Sequence, residues 1–132
     1  MQVHDDAQLR HYWQNFGGKG DIGFLATAEG QPIGAAWARI MTTPSYGRID
    51  DQTPEVSIAV VPEWRGKGVG TDLLDTLIDG LANLGYRHAS LSVQKENPAV
   101  SLYKRFGFAI TRIRDTDYVM VRGLTPIDDT AA

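Results

Sequence analysis

The hydrophobic pattern divides the chain into short alternating segments and a few helical runs, with Gly, Pro, Asn and Asp at the joints. Residues 5–16 place Leu9, Tyr12, Trp13 and Phe16 at helical spacing, and Gly17 and Gly18 end the run, which predicts a helix. Residues 22–28 and 33–41 read as strands around Glu29, Gly30, Gln31 and Pro32, a connection that favours a hairpin. Residues 42–54, rich in Thr, Pro, Ser, Gly and Asp, read as a loop. Val56, Ser57, Ile58, Ala59, Val60 and Val61 are apolar or small on both faces, as a doubly covered central strand requires, and Pro62 stops them. A helix follows over 68–84, with Leu73, Leu74, Leu77, Ile78 and Leu81 as its apolar stripe and Gly85 at C′. Residues 88–93 alternate as a strand. Asn97 then supplies an N-cap oxygen, Pro98 takes the first helical position and Gly107 closes the short helix. Strands over 108–113 and 117–121 complete the pattern, and 123–132 show no period and read as a frayed tail.

The order α-β-β-β-α-β-α-β-β combines hairpins with strand–helix–strand units, which indicates an α/β domain with a mixed sheet and helices on its faces. A length of 132 residues suits one core, here assigned to 1–122. Thirteen Lys and Arg against sixteen Asp and Glu leave a net charge of −3, which argues against a nucleic-acid backbone as the main partner but leaves room for a local basic pocket. No apolar run approaches the roughly 20 residues that span a bilayer. Met1, Gln2, Val3, His4, Asp5 and Asp6 have neither the basic start nor the apolar stretch of a signal peptide, so the expected location is the cytoplasm. The absence of cysteine excludes disulfides, thiol nucleophiles and thiolate metal sites. His4, His11 and His88 are scattered without ligand partners at short spacing, so no metal is assigned.

The segment richest in chemistry is Arg65, Gly66, Lys67, Gly68, Val69, Gly70, followed by Thr71. Alternate glycines between a buried strand and a long helix let the backbone approach a ligand closely. The helix start adds unpaired amides and about half a positive charge. With two cations beside it, the segment reads as a phosphate or diphosphate cradle; a plain tight turn with solvated cations is the alternative. It does not fit the P-loop spacing. Nor does it fit the dinucleotide fingerprint, which needs Gly where Thr71 stands and an acid about 20 residues on, so ATP and NAD are disfavoured. No Gly-x-Ser-x-Gly elbow is present, which disfavours a serine hydrolase.

From Val60 to Gly70, Val-Val-Pro-Glu-Trp-Arg-Gly-Lys-Gly-Val-Gly resembles the acetyl-CoA signature of the GNAT superfamily of N-acetyltransferases. From Asn97 to Phe108, Asn-Pro-Ala-Val-Ser-Leu-Tyr-Lys-Arg-Phe-Gly-Phe is similar to that family's second segment, at the expected distance of one helix and one strand. The close likeness covers about 55–110. It implies a mixed, mostly antiparallel sheet flanked by helices, the GNAT-like fold, and a reaction carrying acetyl from acetyl-CoA directly to a primary amine of a small-molecule or protein acceptor. It further implies that Gly66, Lys67, Gly68, Val69, Gly70 and Thr71 hold the CoA diphosphate with Arg65 at the edge. Ile58, Ala59 and Val60 would offer main-chain groups to the pantetheine arm, in a slot where the strands read at 56–61 and 88–93 part. Asn97 would bond that arm while also capping its helix.

Tyr103 is the candidate acid for the departing thiolate, although pattern alone reads it as a packing residue beside Val100 and Phe106. Glu55 is the candidate base, against a solvated strand-edge Glu as the plainer reading. Relatives with Glu in the middle of the next strand would need one at Ser92. Trp64 is a candidate adenine platform or a packed Trp; Asp50, Asp51 and Glu55 form a candidate acidic lip or a solvated loop. Homodimers are common in the family, and no patch decides the matter here. A non-catalytic acyl-CoA-binding or regulatory module is the rival reading.

Overall fold

The computed structural model describes residues 7–11, 22–40, 49–50 and 52–124. One seven-stranded sheet has the order β1-β2-β3-β4-β5-β7-β6, formed by β1 Ala7–His11, β2 Ile22–Ala28, β3 Gln31–Arg39, β4 Glu55–Val60, β5 His88–Gln94, β6 Ala109–Ile113 and β7 Asp117–Gly123. Every pairing is antiparallel except β4 with β5. Helix α1, Val69–Asn83, and helix α2, Ala99–Arg105, make the crossovers that flank β5.

The helix expected over 5–16 is corrected: residues 7–11 form β1, paired from Ala7↔Ala28 to His11↔Phe24. Period alone could not see this, because the free edge of β2 offers a row of backbone donors and acceptors that a neighbouring segment satisfies as a strand. Residues 5, 6 and 12–16 of that expected helix, most of the 42–54 loop and residues 125–132 lie outside the described residues. The frayed tail expected over 123–132 is corrected at its start: Gly123 ends β7, and Leu124 is buried with its N–H donating to Arg87 O at 2.8 Å. The first hairpin is tighter than expected. Glu29 (φ 51°) and Gly30 (φ 80°) alone make the turn, both with the positive φ of a type I′ connection.

The two helix ends are set by glycine in the same way. After α1, Gly85 N–H donates to Ala82 O at 3.0 Å and Tyr86 N–H to Leu81 O at 3.2 Å. After α2, Gly107 N–H donates to Lys104 O and Phe108 N–H to Tyr103 O, both at 3.0 Å. Both are Schellman closures, which need φ near +90° at the glycine, as found. The apolar stripe of α1 packs on β2–β4, with Leu73, Leu74, Leu77 and Leu81 fully buried. Val69 and Leu73 lie close to Gly34 of β3, where the absence of a side chain admits the helix. The start of α1 is thereby fixed over the end of β4.

Candidate active site

Strand β5 follows β7 along its whole length, from His88↔Gly123 to Gln94↔Asp117, but meets β4 in a single ladder position, Glu55↔Ser90. Ser90 N–H donates to Pro54 O at 3.1 Å at that closed end, and beyond it the two parallel strands part. The backbone of β4 then has one side without a partner strand. Val61 N–H donates to Ile33 O, on the β3 side. Main-chain direction alternates along a strand, so the N–H and C=O of Val60 and Ile58 face the gap, in phase with Pro54 O. Ala59 is out of phase. Its carbonyl lies over Gly34 on the β3 side, so its main chain is turned from the gap although the residue borders it.

At the open end the gap becomes a cavity of about 680 Å³, within the usual range for small-molecule sites. It brings together Ile58, Ala59, Val60, Arg65, Gly66, Gly68, Gly70, Thr71, Asn97 and Tyr103 of the sequence-derived candidates. Gly66 and Gly68 have φ of 76° and 89°, conformations an L side chain strains to adopt. A Cβ at Gly66 would meet nothing within 4 Å, so the bend itself, not crowding, calls for glycine there. The first helical bond of α1 is Asp72 N–H to Gly68 O at 3.1 Å, and Gly68 brings no capping side chain. The amides of Val69, Gly70 and Thr71 thus have no intrahelical acceptor, at the positive end of a 15-residue helix. Asp72 does not line the cavity: it is 8% exposed and its Oδ2 has no partner.

Arg65 Nε donates to Val60 O at 3.0 Å, which pins the guanidinium at the cavity mouth and leaves the Val60 N–H as that residue's gap-facing group. Lys67 does not line the cavity; its Nζ lies 5.8 Å above the Trp64 ring, and Trp64 does line it. Val69 turns its side chain into the core. Asn97 Oδ1 accepts from Ala99 N–H at 2.8 Å, so the cap works as expected although regular helix begins at Ala99. Its amide nitrogen remains available to a ligand.

Tyr103 is 9% exposed and stands edge-on to Phe108, with ring centroids 5.9 Å apart. Burial pushes its hydroxyl above the ordinary phenol range. Glu55 is not among the cavity residues. It begins β4, about 16 Å along the strand from Val60. Val60 faces α1, since a Cβ on Gly70 would lie 3.8 Å from Val60 Cγ2; by alternation Glu55 and Ser57 face the opposite side of the sheet. Arg105 lines the cavity, and the sequence reading had not singled it out. The signal was present: Pro98, Leu102 and Arg105 follow an i, i+4, i+7 stripe.

A fold comparison gives the same architecture. A GCN5-related N-acetyltransferase from Kribbella flavida superposes with a TM-score of 0.75 at 20% identity, covering 91% of this chain and 99% of that one. The model of the acetyltransferase (GNAT) family matches residues 2–108. The chain belongs to that family. Among GNAT structures, the phosphinothricin acetyltransferase of Sinorhizobium meliloti in complex with acetyl-CoA is 28% identical with a TM-score of 0.68, covering 80% of this chain and 62% of that one. Among curated relatives, the uncharacterized N-acetyltransferase YobR of Bacillus subtilis is 44% identical over 54 residues, 40% of this chain and 22% of that protein. The chain spans less than half the length of each curated relative it matches, from 22% to 46%. Among the described residues no helix is long and apolar enough to cross a membrane, and no group of three or more His, Asp or Glu gathers at a point.

Proposed function

We propose that this chain is an acetyl-CoA-dependent N-acetyltransferase, one domain over 1–122, that passes acetyl directly to a primary amine of a small molecule or peptide. The observation that carries the reading is the parted β4–β5 pair, with a glycine-bent amide cradle at its mouth and Tyr103 on its wall. The residues fit the cofactor: the cavity lining includes two arginines and no acid, amides face a diphosphate position, and the strand backbone is open to an amide-rich arm.

Acetyl-CoA supplies a thioester carbonyl already activated toward attack. The amides of Gly66, Gly68, Val69, Gly70 and Thr71 take the diphosphate, with Arg65 and Lys67 adding charge at the rim. Ile58 and Val60 present main-chain groups to the arm, and the Asn97 amide nitrogen adds a donor from α2. The Val60 N–H lies on the gap side, where a donor to the developing oxyanion is worth about 3 kcal/mol. Tyr103 is a phenol, protonated at neutral pH, whose burial raises its pKa further, and it would release that proton to the departing sulfur. An alkylammonium has a pKa of about 10, so the acceptor must lose a proton; Glu55 begins β4 outside the cavity and would receive that proton through water. Donor and acceptor would thus enter from opposite faces and meet in the gap. With no cysteine in the chain, direct transfer replaces a thiol-borne acetyl enzyme.

The test is calorimetric titration with acetyl-CoA, then an amine panel with release of free CoA thiol as the readout. Binding in the micromolar range and thiol release with at least one amine are expected. An absence of acetyl-CoA binding would refute the reading. Binding without thiol release from any amine, indifferent to loss of Tyr103, would establish the non-catalytic acyl-CoA module instead.

A further inference from the structure

We propose that a second cavity, on the face of the sheet turned away from α1, binds a small monocarboxylate with an apolar body, and that Arg112 holds the carboxylate. This cavity has a volume of about 410 Å³ and shares no lining residue with the gap between β4 and β5. Its place follows from register. Glu55, which faces away from α1, pairs with Ser90, and Ser90 pairs with Val121. By alternation His88, Val119 and Val121 lie on that same face, and all three line the cavity.

The wall contributed by β6 is made by a bulge. Ile110 pairs with the buried Met120, so an unbroken ladder would set Arg112 opposite Tyr118, on the face that carries the core. Instead the register shifts between Ile110 and Arg112, and Arg112 pairs with Val119. The extra residue turns Arg112 to the cavity side, so that Thr111 and Arg112, adjacent in sequence, both line it. Thr111 Oγ1 donates to Val119 O at 3.3 Å and ties the bulge to β7.

The charges there do not balance among themselves. Among the described residues the Arg112 guanidinium has neither an ion pair nor a hydrogen bond, and the residue is exposed. Asp50 is the one acid among the described lining residues, and it is already engaged. Its Oδ1 accepts from Gln52 N–H at 2.8 Å, and the Thr53 side chain bonds the same carboxyl. The unmatched group is therefore a planar cation, whose fork takes a carboxylate through two parallel hydrogen bonds. The His88 ring supplies a further N–H donor. Between these groups Val119 and Val121 present aliphatic surface, and Ile49, 41% exposed, leaves a large apolar side chain uncovered at the edge. A carboxylate on an aliphatic body satisfies both the cation and that surface.

The experiment titrates the labelled full chain with 4-methylpentanoate, with its neutral amide and with L-leucine, following backbone amide shifts by NMR in wild type and Arg112→Gln. Thermal melts verify that the variant folds. Wild type should bind 4-methylpentanoate with a Kd of about 1 mM or below, with shifts centred on Thr111, Arg112 and Val119. The neutral amide, and the carboxylate with Arg112→Gln, should each bind at least about tenfold more weakly, the scale of one charge-assisted contact. Leucine, which adds only an ammonium to the same skeleton, should bind no more tightly, because Asp50 is already bonded. No binding by wild type, equal affinity for the amide, or equal affinity in Arg112→Gln would each overturn the proposal. Tighter binding of leucine would overturn the assigned ligand class. Shifts centred on residues 66–70 would put the carboxylate in the other cavity and overturn the site. None of these outcomes depends on whether the chain binds coenzyme A.

Discussion

Tyr103 owes its position to the end of its own helix. Its carbonyl accepts the Phe108 N–H that closes α2, and the same closure brings the Phe108 ring edge-on to its own. The apolar contact that accompanies a Schellman turn here orients the candidate acid. The ring packing does not involve the hydroxyl, so Tyr103→Phe should keep the fold and coenzyme A affinity. It should lower turnover by about a hundredfold, the low end for loss of a positioned proton donor. Titration and steady-state rates on the same preparation check both halves; an unchanged rate removes Tyr103 from the chemistry. Sequence supplied this residue only through family likeness. Its apolar neighbours alone gave a packing role, and its burial against Phe108 bears that packing role out.

Helix α1 is the element that joins stability to the proposed coenzyme A site. Its first turn carries the cradle amides, and Val69 and Leu73 behind them press on Gly34. A Cβ at Gly34 would lie 3.1 Å from Ala59 O, 3.1 Å from Leu73 Cδ1 and 3.2 Å from Val69 Cγ1. One of those contacts is backbone, so the strand cannot simply rotate a side chain away. Gly34→Ala should therefore destabilise by about 1–3 kcal/mol and weaken coenzyme A binding as α1 lifts, checked by denaturant melts and titration. The opposite sign is expected at the closed end of the gap. Ser90 is fully buried and its Oγ has no partner, so Ser90→Ala removes an unmet hydroxyl. A gain of about 1 kcal/mol, some 3 °C in Tm, is the expected result of calorimetry. The elements were legible where local signals and tertiary demand agreed: α1, both glycine closures and the Asn97 cap. They were illegible where tertiary demand acted alone. Nothing within residues 5–16 shows that β2 lacks an edge partner, and that need makes β1.

At the scale of the molecule, charge and burial set the limits in pH. Arg114 holds the Asp117 carboxyl below the usual range through hydrogen bonds of 3.0 and 2.6 Å. The Gln52 amide, at 2.8 Å, does the same for Asp50. A lowered folded pKa gives stability that is present above the unfolded value, about 3.9, and is lost as pH falls through the folded values. Tyr103 acts at the other limit. Its folded pKa is raised, so the unfolded chain ionises first once pH passes about 10, and stability declines from there upward. Between these limits the three groups predict a nearly flat Tm. Two variants separate the limbs. Asp117→Asn should lower Tm at pH 7 but flatten its fall below pH 4. Tyr103→Phe should leave the acid limb as in wild type and lessen the decline between pH 10 and 11. A wild-type alkaline decline that persisted in full in Tyr103→Phe would show that the buried phenol is not its source.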